Sequence, residues 1–305
     1  MHPSAPACDH RPQIPVSVFI LTKNEERNLP DCLLSLGSSF KDVHVVDSFS
    51  SDNTENIAKN YGAKFVQHKF EGHTKQRAWA LANIDFQHEW VFALDADHRV
   101  TPELLAELDR VFHSIPVGVD GFFVKRRQIF RGRWMRHGGY YPKYMMKIFR
   151  HSAAFLDENE FDYRFYVRGT TRKLENDILE RNEKEWEINF FIEKHLKFAS
   201  ELASEEISRT MENEPYLVRP SAFGNSDERV LWLKGLWNML PLYVRPFLLF
   251  FYRYFIRFGF LDGREGLVFY TLQSFWFRFI VDVRIEEILA HKRVGAIGAK
   301  RAGNG

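Results

Sequence analysis

Residues 90–98 read W-V-F-A-L-D-A-D-H, and the fold is decided by how they are read. An apolar run from Trp90 to Leu94 stops at two carboxylates one residue apart, Asp95 and Asp97. A short apolar run between polar residues predicts a strand buried on both faces. Strand side chains alternate, so the two aspartates would leave on the same side. Two carboxylates so placed can hold a hard divalent cation through oxygen. At the carboxyl end of a strand in an open α/β sheet, they also stand where ligands collect. The competing reading is that they cap the next helix or sit in a solvated turn, where acids are common.

On the amino-terminal side the pattern repeats. Val16–Leu21 is strand-like and ends in the polar loop Thr22–Asn28. From Leu29 to Leu36 the spacing is helical, with Leu29, Cys32, Leu33 and Leu36 on one face and Gly37 as the stop. Val43–Val46 is a second strand, closing on Asp47. The Ser/Asp/Asn turn Ser48–Thr54 would cap a helix through Tyr61, and Ala63–Gln67 a third strand. Glu71–Asn83 reads as a helix carrying Lys75 and Arg77. Beyond the quoted stretch, Thr101-Pro102-Glu103 opens a helix with a cap, a proline and an acid. Gly121–Lys125 is a further strand. Alternating strands and helices predict an α/β fold, a mostly parallel sheet with helices on both faces. The loops after strands one, two and four would share one rim. That convergence favours a ligand site at Asp95 and Asp97 over helix caps.

The remaining half is less regular. Residues 131–141 hold Arg131, Arg133, Arg136, His137, three glycines and two tyrosines, a loop suited to phosphate or sugar unless it is only a solvated basic surface. Lys143–Phe149 is strand-like. Asp157, Glu158, Glu160 and Asp162 crowd one short stretch, and Glu183–Met211 is helical. Leu240–Phe260 is densely apolar and aromatic, with Arg245, Arg253 and Arg257 on one helical side. After the turn Gly259–Gly266, Leu267–Val283 is a second apolar helix, with Arg278 and Asp282 spaced for an i,i+4 pair. Neither helix is an unbroken apolar span. A basic face opposite Phe, Leu and Tyr fits a hairpin lying in a membrane interface; a buried helical pair or a homodimer surface is the alternative.

Composition narrows the function. The chain of 305 residues carries a net charge of +2, so no nucleic-acid partner follows from general charge. Two cysteines provide neither a disulfide framework nor a zinc site, which fits a reducing compartment. Residues 1–13 lack an apolar core segment and read as a flexible lead-in without a signal peptide; 294–305 read as a flexible tail. No G-x-x-x-x-G-K-[ST] occurs, and no G-x-G-x-x-G follows the first strand, which argues against an ATPase and a dinucleotide-dependent oxidoreductase. A nucleoside diphosphate at the rim needs positive charge. Asp97 is the candidate metal ligand, with Asp95 sharing the metal or contacting the ribose. Asn24, Glu25 and Asp47 can read base and ribose, while Lys75 and Arg77 offer cations. A hydroxyl acceptor needs a general base, for which Asp157, Glu158, Glu160 and Asp162 are available.

Four segments carry a resemblance: V-S-V-F-I-L-T-K-N-E-E-R-N-L (16–29), V-V-D-S-F-S-S-D-N-T (45–54), K-Q-R-A-W-A-L (75–81) and W-V-F-A-L-D-A-D (90–97). In this order they resemble family 2 glycosyltransferases, especially bacterial enzymes of lipopolysaccharide-core or surface-polysaccharide synthesis. Weaker similarity runs on through G-G-Y-Y-P-K-Y-M-M-K-I-F-R (138–150) to F-L-D-G-R-E-G-L (260–267). The resemblance implies a GT-A fold over 14–228, followed by a membrane-interface helical region over 229–293. It implies inverting transfer from a nucleotide-sugar donor, usually UDP-linked, to a lipid-linked glycan acceptor, with Mg2+ or Mn2+. It assigns Thr22, Asn24, Glu25 and Asp47 to the nucleotide, makes Asp95 and Asp97 the D-x-D pair, and places the enzyme peripherally on the cytoplasmic face of a membrane. Three positions depart from the usual pattern. His98 stands where relatives often have an acid, Lys143 and Lys147 replace an Asp and a later Arg, and Asp162-Tyr163 replaces a His-Glu pair. Asp162 is the expected base, with Glu160 and Glu158 behind it. A non-catalytic nucleotide-sugar-binding or scaffold protein of the same fold, and a nucleotidyltransferase, are the alternatives.

Overall fold

The computed structural model describes residues 13–156, 164–211, 219–224 and 226–302. The chain divides into two compact units, Met1–Trp134 with Tyr140–Lys184, and Met135–Gly139 with Glu185–Gly305.

The first unit begins with β1 (Val16–Thr22), α1 (Leu29–Leu36), β2 (Val43–Asp47), α2 (Thr54–Asn60), β3 (Lys64–Gln67), α3 (His73–Asn83) and β4 (Trp90–Asp95). It continues with β5 (His98–Val100), α4 (Pro102–His113), β6 (Val119–Phe130), β7 (Arg133–Trp134), β8 (Lys143–Arg150), β9 (Ala154–Leu156), β10 (Phe165–Val167) and β11 (Thr170–Arg181). The main sheet runs β3-β2-β1-β4-β8-β6-β11-β5, with β7 on β6. The first four strands are parallel, as the alternating pattern predicts.

Beyond β4 the sheet is mixed rather than mostly parallel. The neighbour of β4 is β8, antiparallel to both β4 and β6. The chain leaves β6, turns through β7 and returns along β8, so the return strand separates β4 from β6. β11 then lies parallel to β6, and β5 antiparallel to β11 at the edge.

β4 shows why its sequence is apolar throughout. Trp90, Phe92 and Leu94 enter one core with Leu29, Cys32, Leu33 and Leu36 of α1 and Leu104, Leu105 and Leu108 of α4. Val91 and Ala93 enter a second core with Phe19, Val46, Ala80, Met146 and Phe149. Both faces are covered, so alternation of apolar and polar residues is absent. The helix boundaries follow local chemistry. Thr101 accepts from the Leu104 amide at 3.2 Å and caps α4 with Pro102 at its first position. Gly37, at φ 55°, closes α1.

The second unit is helical: α5 (Ile188–Met211), α6 (Ser226–Asn238), α7 (Val244–Phe251), α8 (Gly263–Tyr270) and α9 (Phe277–Ala302). Two π-helical stretches, Tyr252–Ile256 and Thr271–Trp276, continue α7 and α8, and Tyr243 and Phe258 adopt left-handed backbone on either side of the α7 segment. The arginine face read from the sequence is divided. Arg245 is buried, its guanidinium reaching Glu206 and Asp282 at 2.7 Å, over the Trp237 ring. Arg278 reaches Glu206 at 3.4 Å, so Arg278 and Asp282 each have a partner on another helix. Arg257 and Arg264 are exposed. Asp262 gathers Met135–Gly139 into this unit: it accepts from the Arg136 and His137 amides at 3.3 and 3.1 Å, from His137 Nδ1 at 2.6 Å and from the Tyr270 hydroxyl at 2.7 Å. No helix among the described residues is long and apolar enough to cross a membrane.

Candidate active site

The loops after β1, β2 and β4 meet at one rim of the first unit. Thr22 Oγ1 donates to Asp47 Oδ1 at 2.9 Å, and the buried Asp47 also accepts from the Ser50 amide at 2.7 Å and the Ser50 hydroxyl at 2.5 Å. Asn24 stands at φ 54°, where its amide donates to Ser50 Oγ at 2.7 Å and its Oδ1 accepts from the Ser51 amide at 2.8 Å. Asn is among the few non-glycine residues that tolerate this backbone. The Glu25 amide donates to Thr54 Oγ1 at 2.9 Å. The Glu25 carboxylate accepts from Asn28 Nδ2 and Lys184 Nζ, both at 2.7 Å. Thr22, Asn24, Glu25 and Asp47 are thus brought together at this rim. Glu25 is also bound into a clasp from the segment after β11, a contact that sequence reading missed.

At the end of β4 the two aspartates part. The strand stops at Asp95, and Ala96-Asp97 form a turn before β5, so strand alternation does not reach Asp97. Asp95 follows Ala93 on the face of α3. Its carboxylate accepts from Arg77 Nη2 on one oxygen and from Lys147 Nζ at 3.2 Å on the other. Arg77 and Lys147 are 3 and 2 % exposed, while Asp95 keeps 26 % of its side chain open. Burial opposes ionisation of Asp95, but Lys147 and Arg77 outweigh it and hold the carboxyl well below its ordinary range. Burial also lowers the pKa of Lys147, against the pull of Asp95. Lys75, expected beside Arg77 as a phosphate cation, is instead exposed on α3.

Asp97 Oδ2 accepts from Asn182 Nδ2 at 3.3 Å, and Asn182 Oδ1 accepts from Asn28 Nδ2 at 3.1 Å. Asn182 thus ties Asp97 to the β1 loop. His98 is buried beneath the turn. Its Nδ1 accepts from the Asp95 amide at 3.0 Å, and its Nε2 faces Glu180 at 3.5 Å. A ring nitrogen that accepts carries no proton, which leaves Nε2 as the nitrogen able to donate. Glu180 is engaged by Arg126 at 2.5 Å. His98 therefore supports the turn and adds no acid to it.

Among the described residues, no group of three or more His, Cys, Asp or Glu could hold a metal by itself. A magnesium-type ion needs only one or two protein carboxylates when substrate phosphates and water complete its shell. Asp97 fits that use. Asp95, already bound by two cations, fits better as an acceptor for a ribose hydroxyl.

Sequence reading missed Asn182, Lys184 and Glu180, and it named Lys147 only as a departure from the family pattern without placing it at this site. Only Lys147 left a local signal, a lysine inside an apolar strand. Asp162, Glu160 and Glu158, the expected bases, lie outside the described residues, as does Asp157.

An uncharacterized glycosyltransferase of Rickettsia typhi is 35 % identical over 99 residues, 32 % of this chain and 33 % of that protein. A lipopolysaccharide core biosynthesis glycosyltransferase, LpsC of Rhizobium meliloti, is 32 % identical over 112 residues, 33 % of this chain and 40 % of that one. The matched stretch thus spans well under half of these relatives. Among solved structures, S. aureus TarS 1–349 gives a TM-score of 0.41 at 16 % identity over 91 % of both chains. Glucosyl-3-phosphoglycerate synthase from Mycobacterium tuberculosis, in complex with Mn2+, uridine diphosphate and phosphoglyceric acid, gives 0.41 at 16 % over 66 % of this chain and 78 % of that one. The sequence model of glycosyl transferase family 2 matches residues 17–179, more than half of the chain, and the chain belongs to that family.

Proposed function

We propose that this glycosyltransferase moves a hexosyl group, with inversion, from a UDP-linked donor to a hydroxyl of a lipid-linked glycan. Lipopolysaccharide core or a polysaccharide intermediate is the acceptor class. The carrying observation is the convergence of Thr22, Asn24, Glu25, Asp47 and the D-A-D turn on one rim. Buried Asp47 and the Asn24 loop would hold base and ribose through hydrogen bonds. Asp95, kept ionised by Arg77 and Lys147, would accept from a ribose hydroxyl. Asp97 would hold Mg2+ or Mn2+, which acts as a Lewis acid on the leaving diphosphate. The acceptor hydroxyl attacks the anomeric carbon as the glycosidic bond to the diphosphate breaks, and a carboxylate takes the hydroxyl proton. Asp162, with Glu160 and Glu158 behind it, is our assignment for that base.

The second unit would hold the enzyme against the cytoplasmic face of the membrane where such acceptors lie. Its exposed Phe247, Phe251, Phe255, Ile256 and Phe258 support this reading.

The test is UDP release from a panel of UDP-sugars with Mn2+ and a lipid-linked glycan. Asp97→Asn should lower kcat at least about a hundredfold, the scale of a lost charge-stabilising contact, while melting at the wild-type temperature. Unchanged turnover in that variant would remove Asp97 from the metal role. Donor binding without transfer to any acceptor would favour a non-catalytic binding protein instead.

A further inference from the structure

We infer that Lys147 is a built-in cation for the donor's diphosphate, giving the site affinity for that group before any divalent ion is bound. The inference rests on reading the rim as a nucleoside-diphosphate site. Lys147 belongs to β8 but does not sit in its ladder. Phe122 of β6 pairs with Ile148, and the next residue, Phe123, pairs with Met146, so Lys147 is the extra residue of a β-bulge. Pairing of β8 with β4 covers Arg150, Phe149 and Ile148. The bulge thus falls where β8 leaves β4, beside the end of β4 that carries Asp95. Bulges re-aim a side chain and cluster next to active sites. This one sends a lysine into the protein, 2 % exposed, onto Asp95 Oδ2 at 3.2 Å.

Asp95 is already bound by Arg77 on its other oxygen. Taking an ammonium group out of water is costly unless its charge is used. One carboxylate balances only one of the two cations that share it. Glu180, which faces His98, is engaged by Arg126. By themselves Arg77, Asp95 and Lys147 thus hold two cations against one acid, and Asp95 is the most open of the three. An incoming diphosphate supplies the missing negative charge. Lys147 acts through this fixed charge and through its hold on Asp95, as a positioning residue.

Calorimetric titration of the full chain in EDTA tests this with uridine, UDP and inorganic pyrophosphate as probes. Wild type should bind UDP at least about tenfold more tightly than uridine, the worth of one charge-assisted contact, and pyrophosphate should compete with UDP. Lys147→Met should abolish that gap in EDTA yet bind UDP when Mn2+ is added, and Lys147→Arg should restore it. Equal affinity of wild type for uridine and UDP in EDTA would overturn the inference, as would a folded Lys147→Met that keeps the gap. If Lys147→Met does not fold, the wild-type comparison decides alone. If UDP binds no better than uridine even with Mn2+, the diphosphate site itself is wrong and the inference falls with it.

Discussion

His98 follows the Asp95-Ala96-Asp97 turn, and its contacts make it a support. Its Nδ1 receives the Asp95 amide and its Nε2 reaches Glu180. A leucine there would leave that amide without its acceptor, at a cost of about 1–3 kcal/mol. His98→Leu should therefore lower the urea midpoint and raise the donor KM more than it lowers kcat. An unshifted midpoint would show that the turn stands without the imidazole. Asp42 shows a carboxylate with a structural task at the opposite, amino-terminal end of the strands. It is buried, which opposes its ionisation, but Lys64, Ser17, the Gln87 amide and His44 outweigh burial and bring its pKa down from 3.8 to about 2. A depressed folded-state pKa stabilises the native state above the unfolded value, and that stability fades as pH falls from about 4 towards 2. The contribution at neutral pH is about 2 kcal/mol. Asp42→Asn should lose about that much in urea unfolding at neutral pH, and the difference from wild type should nearly vanish near pH 2. A difference that persists in acid would mean packing, not charge, is what asparagine disturbs.

At the scale of elements, the loop after β7 divides between the units, and its Met135–Gly139 portion is held by Asp262 and Tyr270. Gly138 has φ 63°, and a Cβ there would overlap the Tyr270 ring. Left-handed backbone and overpacking together should cost Gly138→Ala more than about 2 kcal/mol, read as an earlier thermal transition of the second unit by near-ultraviolet dichroism. An unchanged transition would mean the segment can leave Asp262 without loss. The same elements show what a sequence can convey. Most elements up to α4 were legible because the helices bury a periodic face, β4 is apolar throughout, and local chemistry marks ends such as Gly37 after α1 and Thr101-Pro102 before α4, whereas the three-residue β5 was not read. The rim loops followed from that order, since parallel strands point their carboxyl ends one way. The β8 bulge was not legible, because it exists only as a shift in pairing with β6. Asn182 on Asp97 and Lys184 on Glu25 join residues 85 and 159 positions apart, which no local period encodes. Arg245 read as surface charge because its partners, Glu206 and Asp282, lie 39 and 37 positions away.

At the scale of the whole molecule, a GT-A unit of glycosyl transferase family 2 shares its chain with a helical unit that leaves large apolar side chains open. Phe251, Ile256 and Phe258 are each more than half exposed. Dense exposed aromatics on one short segment mark an interaction surface rather than chance exposure. Arg257 and Arg264 are exposed along the same segment, and each basic residue near an anionic membrane adds about 1 kcal/mol of attraction. Burying each large apolar side chain in lipid is worth about 1.5–3 kcal/mol. The triple change Phe251→Ser, Ile256→Ser and Phe258→Ser should thus weaken binding to vesicles of phosphatidylglycerol and phosphatidylethanolamine by at least a factor of about a thousand. Because these side chains are exposed, melting should change little. Arg257→Gln with Arg264→Gln should weaken binding less, and only in low salt, since screening acts on charge and not on apolar burial. Wild type that does not float with such vesicles would turn this face into a surface between copies of the chain. Sedimentation would then show a dimer that the triple change dissociates.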